Sequence, residues 1–326
     1  NYGVIGNCRS VALISETGSI EWCCLPDFNS SSVFAGILDT ERGGAFRIHV
    51  DGSYAVKQKY MKNTNILCTR FSSGNNVFEI RDFMPRYKSE KRTYYNPPDL
   101  IRYFRYISGN PKFSVHYDPR LEYARHGTKS IINGEYIKSF TTGGDYDSLY
   151  LYSSFDKEAI RNGDQIGLES DGFVLLSYNQ KLLKQTLDRI HLKLQRTHVY
   201  WLNWVDKIRT FPLFQKEIIR SALVLKILSY DKTGAILAAA TTSIPETVGE
   251  QRNWDYRFCW VRDASMVVKV IFKLGHHNMV KRFMNFIIDI IPDKNEKIQI
   301  MYGIDKEKIL REETPDHLKG YINSEP

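Results

Sequence analysis

From Val4 to about Tyr178, short runs of β-branched and aromatic residues alternate with Gly, Asn, Asp and Ser. This rhythm predicts strands separated by turns. Val11-Ala12-Leu13-Ile14 precedes Glu16-Thr17-Gly18-Ser19, and Ala45-Phe46-Arg47-Ile48-His49-Val50 precedes Asp51-Gly52. Ile131-Ile132 precedes Asn133-Gly134-Glu135 and then Tyr136-Ile137-Lys138-Ser139-Phe140. Asn133-Gly134 suits a type I′ hairpin, whose two central residues need positive φ. No amphipathic helix is interleaved, so residues 1–178 are expected to form an antiparallel β-sandwich.

The pattern changes at Tyr178. From Asn179 to Arg209 there is no Gly and no Pro, and Leu183, Leu187, Ile190, Leu194, Trp201 and Val205 fall largely at helical spacing. Residues 179–212 are therefore expected to be a helical connector ending before Phe211-Pro212. Further amphipathic helices are expected over Leu213 to Tyr230, Ala264 to Leu274 (stopped by Gly275) and His276 to Ile291 (stopped by Pro292), with loops over Asp231 to Arg252 and after Pro292. The expected organisation is two domains, β then α, joined by the connector, with the second over residues 213–326.

Length and composition agree. A chain of 326 residues is long for a single core, and 42% apolar with 25% charged residues is an ordinary globular balance. The longest apolar runs, Leu223 to Leu228 and Phe286 to Ile291, are too short to cross a bilayer. The chain opens Asn1-Tyr2-Gly3, without an initiator Met or an apolar signal region, which reads as a trimmed start or an excerpt. Cys8, Cys23, Cys24, Cys68 and Cys259 are odd in number and irregularly spaced, and this favours a reduced, cytoplasmic setting over a disulfide framework or a zinc site. His276 and His277 are adjacent, so on a helix they point about 100° apart rather than at one ion, and no metal is expected. The net charge of +8 is spread among acids, as in Arg86-Tyr87-Lys88-Ser89-Glu90, without a nucleic-acid-binding signature. It reads as solvated surface, and neither nucleic acid nor membrane is expected as a partner.

The densest chemistry lies in Arg252-Asn253-Trp254-Asp255-Tyr256-Arg257-Phe258-Cys259-Trp260-Val261-Arg262-Asp263, just before a helix. Sugar sites combine such groups: pyranose faces stack on Trp and Tyr, while hydroxyls need fixed donors and acceptors. Each group also has a plainer reading. Asp263 stands where an acidic N-cap would sit, and Trp254 and Trp260 could anchor a helix layer.

The string from Asn253 to Ala264 resembles the hallmark of bacterial and archaeal members of glycoside hydrolase family 15, the glucoamylase and trehalase-like enzymes. Thr241-Thr242-Ser243-Ile244-Pro245-Glu246 upstream is similar to the family as well. So is the opening, Ile5-Gly6-Asn7-Cys8-Arg9 followed by Gly18-Ser19-Ile20-Glu21-Trp22 and Cys24-Leu25-Pro26. Gln299 to Asp305, Asp316-His317-Leu318 and Gly320-Tyr321 complete the set, in order along the chain. The resemblance implies a β-sandwich followed by a six-hairpin α/α barrel, of which this chain carries the first helices. It implies that Arg262 and Asp263 hold the outer hydroxyls of the first glucose, that Tyr256 lies near its ring oxygen, and that Trp260 forms the pocket wall. The loop Leu25-Pro26-Asp27-Phe28-Asn29 is expected to lean toward the pocket mouth. Related sequences often read P-R-F-D there, so a basic group is missing.

Family 15 enzymes invert: a protonated carboxyl serves the leaving oxygen while a carboxylate activates water, the two roughly 6.5–9.5 Å apart. The resemblance places both glutamates beyond Pro326, so the catalytic pair is unassigned here and the chain alone is expected to be inactive. Glu246, Glu250, Asp255 and the neighbouring Glu312-Glu313 are poor substitutes; Glu246 and Asp255 are expected to orient side chains. Three helices after the connector leave apolar faces uncovered, which fits an excerpt of a protein roughly twice this length. The leading expectation is glucoamylase-like release of glucose from maltooligosaccharides or starch-like glucans. Trehalase and a non-catalytic sugar-binding relative are the alternatives. The chemistry calls for no cofactor, and oligomeric state is not legible.

Overall fold

The computed structural model describes residues 1–90, 93–250, 252–291 and 297–324. Pro292, the expected stop of the last helix, and Pro326 lie outside the described residues. Two antiparallel sheets make up the first part, followed by a few helices.

The first sheet runs Tyr2–Gly6, Val11–Ser15, Ile20–Cys24, Ala45–His49, Lys112–Asp118 and Gln165–Gly167, with Ser32–Phe34 also paired to Ile20–Cys24. The second runs Thr128–Asn133, Tyr136–Thr141, Ser148–Ser153, Gly172–Tyr178, Asp99–Ser108, Asn76–Phe83, Leu67–Ser73 and Ala55–Tyr60. Between the sheets lie Ile14, Phe34, Phe46 and Phe113 from the first and Phe71, Phe78, Ile80 and Phe104 from the second. Phe71 stacks on Phe78 at 4.7 Å, and Phe104 on Phe113 at 4.9 Å.

In the second sheet the central strand Gly172–Tyr178 is buried on both faces. Val174 and Leu176 join the core between the sheets, while Phe173 and Leu175 join a second core with the helices. Strand alternation sends successive residues to opposite sides, so a strand covered on both sides reads as a continuous apolar run.

Five α-helices are described: α1 (Lys157–Asn162), α2 (Leu187–Val205), α3 (Gln215–Ile227), α4 (Val261–Lys273) and α5 (His277–Ile290). α2 buries Ile190, Leu194, Thr197, Trp201 and Val205, one stripe at helical spacing, against the second sheet. Among the described residues no helix is long and apolar enough to cross a membrane.

Three local expectations are corrected. The helix within 179–212 starts only after Thr186, whose hydroxyl caps it by accepting from Arg189 N at 3.4 Å. A helix, α1, does interrupt the strands, capped by Asp156 and ended by Gly163 at φ 74°. Asn133 pairs with Tyr136, so the hairpin turn centres on Gly134-Glu135, with positive φ at Gly134 but not at Asn133 or Glu135.

Candidate active site

The hallmark string threads the line where the sandwich meets the helices. Ala239 N donates to Tyr256 O (2.9 Å) and Ala238 N to Phe258 O (3.2 Å). Cys259–Trp260 forms a two-residue ladder with Met301–Tyr302, and Val261 N donates to Ile300 O at 3.1 Å. These bonds fix the approach to α4, whose N-cap is Trp260.

Tyr256 and Trp260 stack with ring centroids 6.0 Å apart and planes 25° from parallel. Two residues after Trp260, Arg262 Nη2 meets Asp263 Oδ2 at 3.1 Å, with Arg262 largely exposed. Burial, then the charges of Glu246 and Asp263, raise the Tyr256 phenol above its usual range. The four side chains singled out from the sequence thus lie on the approach to α4 and in its first turn, two as a stacked aromatic pair and two as an accessible donor–acceptor pair.

Asp263 does not take the N-cap place that its plainer reading gave it; Trp260 does. Asp263 is the third residue of α4, and its carboxylate makes no cap hydrogen bond. In the first turn it still lies at the positive end of the helix dipole. Its oxygens turn to Arg262, outward. Trp254 is 43% exposed and is no core anchor, while the indole N–H of Trp260 is buried and donates to no described group.

Beneath these residues lies a second layer. Arg257, only 7% exposed, grips Asp255 with two nitrogens (3.0 and 2.7 Å). Its Nη1 donates to Ser30 O at 2.9 Å and Phe28 O at 3.3 Å, and meets Cys24 Sγ at 3.5 Å. The loop expected at the pocket mouth is thus tied to the string from below. Its Asp27 spends its charge on Arg9 (2.8 Å) and Lys232 (2.7 Å), Phe28 packs edge-on to Tyr230, and Asn29 reaches Asp305 at 3.3 Å.

The distant strings converge here. Trp22 is fully buried, donates from Nε1 to Ala240 O at 2.9 Å, and packs in one cluster with Leu318, Ile244 and Tyr321. His317 Nε2 donates to Tyr123 O at 2.7 Å. Of the candidate carboxylates elsewhere, Glu246 pairs with Arg252 at 3.5 Å and Glu313 with Arg125 at 2.9 Å. The roles of Arg257, Tyr123 and Trp22 were not legible as such; the one signal was that a buried indole N–H needs an acceptor.

Comparison with known proteins bears on this arrangement. Residues 1–153 match the model of the trehalase-like N-terminal domain, and residues 213–326 match that of glycosyl hydrolases family 15. A trehalase of Thermoplasma volcanium is 34% identical over all of this chain and 52% of its own length. A trehalase of Thermoplasma acidophilum is 31% identical over 96% of this chain and 54% of its own length. One of Mycolicibacterium smegmatis is 32% identical over all of this chain and 52% of its own length. The chain spans about half the length of the curated relatives it matches.

Proposed function

This chain belongs to glycoside hydrolase family 15, and from that premise we propose that the full-length protein hydrolyses trehalose to glucose by inversion. The observation that carries the reading is the stacked Tyr256 and Trp260, followed within a few residues by the accessible Arg262–Asp263 pair, in a chain similar from end to end to proteins named trehalase. The names of these relatives favour trehalose over the maltooligosaccharides that the sequence put first.

In this reading, the aromatic pair takes the apolar face of the non-reducing glucose. Arg262 donates to its outer hydroxyls while Asp263 accepts from them, so a sugar lacking one hydroxyl leaves a charged group unpaired. Glu246, Asp255 and Glu313 are paired with arginines and serve neither as acid nor as base. The family resemblance implies that both proton-transferring carboxylates lie beyond Pro326. The exposed Met266, Val270 and Ile288 of α4 and α5 support a barrel whose further helices cover them.

The test is anomeric NMR of early products from trehalose and from maltotriose, with the full-length protein. Inversion of trehalose gives α- and β-glucose in equal amounts before mutarotation, whereas retention gives α-glucose alone. Asp263→Ala is expected to lower kcat/KM by about 100-fold, as for loss of a charged hydrogen bond. Preferred cleavage of maltotriose would restore the glucoamylase reading. No cleavage of either, with glucose still bound, would point to the non-catalytic relative.

A further inference from the structure

The 3-10 turn Glu122–Ala124 belongs to the sandwich, yet it reaches the layer beneath the candidate site. Glu122, Tyr123 and Ala124 have φ of 51°, 56° and 59°. Three consecutive residues with side chains in the left-handed region are strained, since each Cβ crowds the following carbonyl. Surrounding structure must hold such a turn, and here the holders are specific. Tyr123 O accepts from His317, its ring lies 6.5 Å from Trp22, and the Arg257 guanidinium sits 5.7 Å from the ring centroid.

Arg257 is therefore enclosed on several sides by the sandwich: Tyr123 at its face, the carbonyls of Phe28 and Ser30 and the thiol of Cys24 at its Nη1. Its remaining nitrogens hold Asp255. Tyr256 lies between Asp255 and Arg257 in the chain, so this fork fixes the backbone on both sides of the aromatic residue. Trp22 supplies an independent tie, through Ala240 O to the segment that pairs with Tyr256 and Phe258.

We infer that Arg257 and Tyr123 are positioning residues, through which the sandwich sets the placement of Tyr256 and Trp260 in the sugar pocket. The inference rests on the trehalose-hydrolysing reading and adds a task for the sandwich. A guanidinium suits that task because its planar fork serves a carboxylate and carbonyls at once, which an ammonium cannot do in fixed geometry. Positioning acts on the transition state more than on ground-state binding, because a wall displaced by about 1 Å can lower turnover about 100-fold.

The experiment compares trehalose kinetics and thermal midpoints of the full-length wild type with Arg257→Lys, Arg257→Ala, Tyr123→Leu and Trp22→Phe. Arg257→Ala is expected to lower kcat about 10- to 100-fold, with KM changed less than about threefold. Arg257→Lys should recover part of that loss, and Tyr123→Leu should lose turnover by several-fold. Wild-type kcat per folded molecule in all four, with midpoints lowered, would overturn the inference and leave a purely structural tie. Should Arg257→Ala not fold, Arg257→Lys and Trp22→Phe decide by the same criteria. Should the wild type cleave neither trehalose nor maltotriose, the catalytic reading is what fails. Glucose affinity by fluorescence titration then replaces kcat: a tenfold weakening in Arg257→Lys supports positioning, and unchanged affinity overturns it.

Discussion

His276 lies flat on Trp204, with ring centroids 3.9 Å apart and planes 4° from parallel, and its Nε2 is buried without a hydrogen bond. Burial first, then the charges of Lys226, Lys207 and His277, push its pKa down to about 4. The folded protein thus keeps this ring neutral, whereas an unfolded chain takes up the proton near pH 6.5. The sign follows: the contribution is complete above pH 6.5, declines as pH falls toward 4, and is constant below that. Thermal midpoints should therefore drop between pH 6.5 and 4.5. His276→Phe keeps a flat ring but has nothing to protonate, so its midpoint should drop less over the same interval. Parallel pH curves for the two proteins would remove His276 as the cause.

Among the helices, α2 makes the clearest case for pattern deciding structure. Leu194 is buried against the second sheet, and Leu192, two residues earlier, is 49% exposed. Leu194→Ala should cost about 2–5 kcal/mol through lost burial and a residual cavity, while Leu192→Ala should stay within about 0.5 kcal/mol. Urea unfolding of both variants checks the contrast. The 3.6-residue spacing made this face readable in advance, as the alternating runs did for the strands. Helix starts were less readable, because a cap at Thr186 outweighs the seven residues from Asn179 to Gln185 upstream. The hairpin register slipped by one for a similar reason: pairing of Asn133 with Tyr136 places the turn, and Asn-Gly alone does not. In the candidate site, Tyr256, Trp260, Arg262 and Asp263 were legible because they are close in sequence. The grip of Arg257 on Cys24, Phe28 and Ser30 was not, since it spans 227 residues or more and depends on how the sandwich docks.

Across the molecule, the interior of the sandwich has its own polar lock, and comparing it with the junction separates stability from catalysis. Asp82 and Arg102 are neighbours on the second sheet with side chains fully out of water, Nε meeting Oδ1 at 2.8 Å. Arg102 also crosses to the first sheet, donating to Phe46 O at 3.2 Å and to Gly18 O. Burial raises the Asp82 pKa and the charge of Arg102 opposes the rise, so the carboxylate depends on its partner. Removing either partner strands the other in a dry interior, and such losses typically reach about 3–5 kcal/mol. Asp82→Leu and Arg102→Met should each lower the unfolding free energy by about that much. Asp82→Leu combined with Arg102→Met should lose less than the sum of the single changes, because no charge remains unpaired. On the proposed trehalose-hydrolysing reading, these variants should keep wild-type kcat below their midpoints, since the lock fixes sheet to sheet and touches none of Tyr256, Trp260, Arg262 and Asp263. Arg257 sits in the same chain under a similar burial penalty, yet its change should appear in kcat. If the Asp82 variants lose turnover in proportion to their stability, general loosening of the sandwich suffices, and Arg257 has no separate part in placing the pocket.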